Sequence, residues 1–432
     1  MTTDLEYGLD QLPPPGRTIL YGLQWLIIFL PILTVLTVLL ANVLGMSPED
    51  TAAYFQRLLI VTGGTMMVQT LWGHRLPLLD GPAAALVITA AALAPGGLPV
   101  ISGGMLFGGL LVFLCGALGL TRYITPLFTD RVVGVILLLI GLTILPYLVP
   151  MITGAGPAHP AGSPLVLGLS LGLLVIMVMM SHFLRGLWQS LAIFWGVLIG
   201  CLVFAGLGMM DFTTVKAAPF FTRPDPMLGP WPKFDLGAMI SFALAYFAVV
   251  VNASGSLFSI APLVGAGSMD NRMKRGLAVT GISGIVSGLL GVVGSVPYSI
   301  SPGMVTVTRV GSRYPVTVCG LMMLSLGFLG KITAIMSAVP SAVVGAALLT
   351  SMAAGLGVSI EIIRRPGPMS GRDYMVVGLP VLLGTAAGML PKAFLDQLPA
   401  SLGPIISNGL IVGVVAVIVL EHVIMPVGKA KK

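Results

Sequence analysis

The chain has 432 residues, of which 56% are apolar and only 9% charged, against roughly one quarter charged in an ordinary soluble protein. With a mean hydropathy of +1.03, the apolar surface is too large for a soluble core to hide. A cytosolic enzyme is excluded and an all-α polytopic membrane protein is expected. The net charge of +7 is scattered over short loops rather than set along one stripe with interleaved aromatics, which argues against a nucleic-acid partner.

At about 20 residues per span, fourteen spans use about 280 residues and leave about 150 for connections. Residues 1–18 are polar and Pro-rich, carry no cleavable signal, and read as a cytoplasmic tail. Apolar segments near 19–45, 54–73, 82–95, 102–121, 132–152, 164–183 and 187–208 make a first set of seven spans within residues 19–208. A Pro-rich loop at 209–235 separates them from seven more within 236–425, near 236–263, 277–293, 303–314, 316–336, 342–360, 374–391 and 403–425. Residues 426–432 form a second cytoplasmic tail. An odd number of spans per half inverts the second copy relative to the first, which predicts a 7+7 inverted repeat.

The basic residues set the expected orientation. With both termini in the cytoplasm, sixteen Lys and Arg, among them Arg75, Arg122, Arg131, Arg272, Arg309, Arg313, Arg372, Lys429, Lys431 and Lys432, fall on that side. Six (Arg57, Lys216, Arg223, Lys233, Lys331 and Lys392) fall on the other, so a multi-pass protein of the inner (plasma) membrane is expected.

Spans 3 and 10 hold corresponding places in the two halves and are too short to cross as helices. Gly81-Pro82 precedes the first and Ser301-Pro302-Gly303 the second, so each is predicted to be an extended stretch turning into a half-helix. Irregular backbone inside a membrane must line a protein cavity. The N–H groups opening each half-helix suit a polar solute or an anion there.

The stretch from Tyr298 through Ser301, Gly303 and Thr308 to Arg309 resembles the signature of the nucleobase–ascorbate transporters, also called xanthine/uracil permeases. That pattern reads acid, Gln or Pro, then Asn, any residue, Gly, four residues, Thr and a basic residue. Tyr7 to Asp10, Gly22 to Gln24, Thr65 to Gln69, Leu76-Pro77 with Gly81, Arg275 to Leu277 and Leu398-Pro399 agree with further landmarks, so the likeness covers essentially the whole chain. It implies a core of spans 1–4 and 8–11, a gate of spans 5–7 and 12–14, a homodimer, and elevator-type alternating access. The sequence departs from the family where substrate is bound. Asn252 stands where the family has Glu, with Ser256 at another polar position; Ile300 and Ser301 replace the acid, Gln or Pro and the Asn; Ala83-Ala84-Ala85 replaces Ser-Phe-Ala; and Trp25 replaces His. The resemblance therefore implies a substrate site of Asn252, Ser256, Tyr298, Ile300, Ser301, Gly303, Ala84 and Trp25, with a roomier, less polar and uncharged pocket.

All fifteen acids fall in loops or near span ends, and the histidines His74, His159, His182 and His422 read as solvated or interfacial. No protonatable carrier is therefore expected inside the membrane. Cys115, Cys201 and Cys319 lie in apolar segments without paired spacing and read as core residues, Arg309 as a gate or lipid-phosphate contact, and the run around Met177, Met179 and Met180 as lipid-facing or core filler. No phosphate loop, metal-ligand cluster or nucleophile with its base is present, so no catalytic residue, metal or cofactor is expected. The expected function is a permease for a planar heterocycle such as xanthine or uracil. The alternatives are an anion carrier using the two half-helix N-termini, and a channel or transport-inactive scaffold.

Overall fold

The order of helices follows the order of breakers and caps. In a computed structural model, residues 5–426 are described except 121–124, 156–160, 186, 225–230, 299, 396 and 400–401. Asp4, Arg122, His159, Asp225, Asp396, Lys429, Lys431, Lys432 and the tail beyond Pro426 lie outside the described residues.

Helix α1 (Pro15–Leu44) starts with a Pro in its first turn and ends at Gly45 in the left-handed conformation, as the asymmetry of helix ends demands. Helix α2 (Pro48–Leu71) is capped by Ser47, whose hydroxyl accepts from Asp50 N–H. Span 3 comprises β1 (Asp80–Pro82) and the half-helix α3 (Ala84–Ala92), and span 4 is α4 (Gly97–Ala117). Span 5 is divided into α5 (Asp130–Thr143) and α6 (Leu145–Thr153), because Pro146 lies at the break. Spans 6 and 7 are α7 (Pro164–Phe183) and α8 (Ala192–Gly206).

The second half opens with α9 (Leu236–Ile260), capped by Asp235, and α10 (Met269–Leu289). Span 10 comprises β2 (Ser295–Pro297) and the half-helix α11 (Ser301–Thr308). Then come α12 (Tyr314–Leu326), the shorter α13 (Gly330–Ser337), α14 (Ser341–Arg364) and α15 (Gly371–Ala387), which opens on a reciprocal capping box between Ser370 and Asp373. Span 14 is α16 (Gly409–Val419), continued by one π-turn.

Packing reveals the repeat. Span 4 packs extensively on span 9 and span 2 on span 11, exchanging the roles of the halves; likewise span 4 packs on span 8 as span 11 packs on span 1. Span 5 faces its own counterpart, span 12. These reciprocal pairs are the signature of an inverted repeat, and the expected fold class is the observed one: an all-α polytopic bundle with two discontinuous spans. Six helices are long and apolar enough to cross a membrane by length and composition among the described residues; the others are shorter, broken or less apolar.

Glycine makes two tight seams in the first half's contacts with the second. A Cβ on Gly109 or Gly116 of α4 would overlap the backbone of α10, and one on Gly281 would overlap Phe113; Gly63 and Gly320 meet in the same manner between α2 and α12. Such spacing lets helices approach where no aqueous hydrophobic force drives them together. Polar staples add to the α2–α10 contact: Thr65 Oγ1 donates to Ser283 Oγ at 2.9 Å, and Gln69 Nε2 donates to the Gly276 carbonyl at 2.9 Å.

Three sequence expectations need correction. Arg57, assigned to an outer surface, is 1% exposed and lies along α2 inside the bundle. His74 and Asp80, read as peripheral, are both 0% exposed. The physical reason for the last two is the same: the chain after α2 dives inward before its apolar stretch begins, so distance along the sequence misstates depth.

The α4–α10 seam is testable. Gly281→Leu should destabilise the protein by at least about 1–3 kcal/mol, the cost of overpacking, read as a lower midpoint of thermal unfolding in detergent. A variant that melts with the parent would contradict the contact.

Candidate substrate cavity

The two broken spans meet at a short antiparallel crossing. Asp80, Gly81 and Pro82 of β1 pair with Pro297, Val296 and Ser295 of β2. Backbone bonds extend it, from Tyr298 N–H to the Leu79 carbonyl at 2.8 Å and from Ala83 N–H to the Gly294 carbonyl at 3.0 Å. Gly81 is required here, because a Cβ would overlap the Phe29 ring and press on Tyr298.

Side chains close what the strands leave open. Ser301 Oγ accepts from Leu79 N–H at 3.0 Å, Ser256 Oγ donates to the Pro297 carbonyl at 2.9 Å, and Tyr298 Oη donates to the Pro82 carbonyl at 2.7 Å. Each uses a side chain of one element to satisfy the backbone of another, as dry surroundings require. The Tyr298 ring is held edge-to-face against Phe29, centroids 5.3 Å apart, a favoured aromatic geometry.

Beside the crossing lies a cavity of about 490 Å³, within the size range of small-molecule sites. It is lined from spans 1, 3, 8 and 10 by Val35, Leu36, Ala83–Ala85, Val249, Asn252, Val296, Tyr298 and Ile300. From spans 5, 7 and 12 it is lined by Leu137, Ile140, Ile193, Leu348, Ser351, Met352 and Leu356. No charged side chain lines it among the described residues. The lining is apolar but for the Asn252 amide, the Tyr298 ring with its committed hydroxyl, and Ser351, whose Oγ donates to Ala347 O within its own helix at 2.9 Å. Ala84 and Ala85, whose first-turn N–H groups have no intrahelical acceptor, line the same cavity.

Of the residues singled out in the sequence, Asn252, Tyr298, Ile300 and Ala84 come together on the cavity wall. Ser256 and Ser301 sit behind it and hold the crossing. Trp25 is 2% exposed within the packed body of α1. Gly303, in the first turn of α11, is exposed, and a Cβ there would meet nothing within 4 Å. Sequence reasoning missed the wall contributed by spans 5, 7 and 12, whose mostly apolar side chains carry no chemical signal.

A family model described as a permease family, Xan_ur_permease, matches residues 16–393. The uric acid permease PucJ of Bacillus subtilis is 26% identical over 89% of this chain and 87% of that protein. The xanthine permease of the same organism is 24% identical over 96% of each. The transmembrane domain of the cyanobacterial bicarbonate transporter BicA, 15% identical, matches with a TM-score of 0.56 over 93% of this chain and 96% of that one. At that identity the likeness is one of fold.

The crossing depends on its serines. Ser301→Ala leaves the Leu79 N–H without a partner in a dry site and should cost about 1–3 kcal/mol, whereas Ser325→Ala, which loses only a bond within its own helix at an exposed position, should be near neutral. Thermal unfolding of the two variants side by side provides the check.

Proposed function

The chain belongs to the permease family whose model it matches, a family of membrane transporters rather than enzymes, and on that premise we propose that it carries a planar nucleobase-like heterocycle such as xanthine, uric acid or uracil. The observation that carries the reading is the joint presentation of the Asn252 amide and the Tyr298 ring on one cavity wall. An amide both donates and accepts, which suits the alternating N–H and C=O edge of such a ring. The aromatic surface and the apolar remainder suit its flat faces.

In this reading Asn252, Tyr298, Ile300 and Ala84 touch the substrate, while Ser256, Ser301 and Trp25 position the elements that do and Gly303 leaves the first turn of α11 open. The position of the cavity between spans 1, 3, 8 and 10 on one side and spans 5, 7 and 12 on the other supports elevator-type alternating access. In that scheme a core of spans 1–4 and 8–11 slides against a gate of spans 5–7 and 12–14. Homodimerisation through the gate spans and cytoplasmic termini complete the proposal. With the buried Arg57 set aside, the sixteen-to-five division of the other basic residues supports the orientation.

Counterflow of labelled xanthine, uric acid and uracil into proteoliposomes tests the reading. Asn252→Leu is expected to lower it at least tenfold while the protein remains monodisperse and melts like the parent. Wild-type flux in that variant would remove Asn252 from the site, and saturable uptake of simple organic anions alone would replace the heterocycle with an anion.

A further inference from the structure

The substrate cavity holds no acidic, basic or imidazole side chain among the described residues, yet one residue before Gly81 the same strand carries a buried acid with a buried base beside it. We propose that His74 and Asp80 form a one-proton site whose occupancy is linked to the transport cycle; the second half of this statement rests on the transport function proposed above.

The geometry fixes the proton count. His74 Nδ1 accepts the Leu76 N–H at 3.0 Å, so in the neutral ring the hydrogen belongs to Nε2. Nε2 stands 3.5 Å from Asp80 Oδ2, with side-chain exposures of 0% and 1%, and neither it nor either carboxylate oxygen has a hydrogen-bond partner among the described residues. With a neutral imidazole and an ionised carboxylate the pair holds one net negative charge removed from water, the costly arrangement for a buried group. One added proton makes the pair neutral, whether imidazole or carboxyl holds it, so the proton belongs to the pair. A conformation that dries the pair favours the protonated state, and one that hydrates it favours release of that proton to water.

Its surroundings leave little else to compensate the charge. From α2, Gln69 faces the pair through Oε1, which accepts His74 N–H at 3.4 Å. From α10, Arg272 donates to the carbonyls of His74 and Arg75 at 2.9 and 2.8 Å and so approaches the backbone rather than the ring. Arg75 points toward Asp10 at 3.8 Å, and Arg313 is paired with the same Asp10 at 2.8 Å. From span 10, Tyr298 is the titratable neighbour of Asp80, with its hydroxyl bonded to Pro82 O.

The link to transport is covalent and short. Asp80 is flanked by Leu79, whose carbonyl and N–H bond Tyr298 and Ser301, and by Gly81, which packs on the Phe29 and Tyr298 rings. Charge at Asp80 thus acts on the same backbone that orients the cavity ring.

Two readouts test this in the full-length protein. Infrared difference spectra between acid and alkaline pH are expected to show a carboxyl band that Asp80→Asn removes and His74→Gln shifts. In proteoliposomes, an inward acid gradient of one pH unit is expected to raise labelled xanthine or uracil accumulation up to about tenfold over the same vesicles without a gradient, the limit for one proton per substrate. For Asp80→Asn and for His74→Gln that ratio is expected near one, whatever each variant's own rate. An unchanged band in Asp80→Asn, or an unchanged ratio in either variant, overturns the proposal, as does wild-type counterflow indifferent to the gradient; the last leaves the transport reading standing. Absence of counterflow for every heterocycle sinks the transport reading instead, and the infrared band then decides the proton site alone. If Asp80→Asn fails to fold, His74→Gln carries both readouts.

Discussion

Unpaired backbone inside a membrane is the constraint from which the rest of this structure follows. A helix satisfies its own peptide groups, but a half-helix with an extended approach does not. Here two such approaches satisfy one another: β1 and β2 pair across the pseudo-symmetry of the halves, and Ser256, Ser301 and Tyr298 bond the backbone that the strands leave over. Neither broken span could exist alone, so the inverted repeat is a condition of the crossing as much as its origin. The cavity sits where this irregular backbone borders space.

Glycine carries the complementary task. The crossing is narrow, and the helices that flank it must come close enough to seal it. The α4–α10 and α2–α12 seams accomplish this with backbone against backbone, at Gly109, Gly116 and Gly281 on one side and Gly63 and Gly320 on the other. Tyr246 fills the space that Gly108, Gly284 and Gly294 leave, and its hydroxyl reaches Met105 Sδ at 3.2 Å. Rigid walls of this kind favour movement of whole helix groups over local adjustment.

Much of this was legible in the sequence, for physical reasons that differ from element to element. Gly81-Pro82 and Ser301-Pro302-Gly303 announced the broken spans because Pro and Gly act on the local backbone, whatever surrounds them. Asn252, Tyr298, Ala84 and Ile300 were found through a resemblance, and they do share a wall. His74 and Asp80 were misjudged because hydropathy measures depth by distance from an apolar window, and here the chain enters the bundle several residues before its window opens. Arg57 was misjudged for a related reason: a charge near the start of a span is taken as exposed, whereas α2 begins at Pro48 and buries it two and a half turns in. Leu348 and Met352 gave no signal, since a cavity wall and a packed core use the same residue types.

The polar beginning of the chain is also more than a tail. Tyr7 forms a parallel bridge with Val310, Glu6 N–H bonds the Arg309 carbonyl, and Gly311 N–H bonds the Tyr7 carbonyl. Arg313 then ties Asp10 to the Thr70 carbonyl at the end of α2. Arg309, which closes the half-helix α11 in the left-handed conformation, is thereby stitched to the first described residues. The opening segment works as a guy-rope on span 10, so tension applied at the start of the polypeptide would be felt, through one short helix, at the ring of Tyr298.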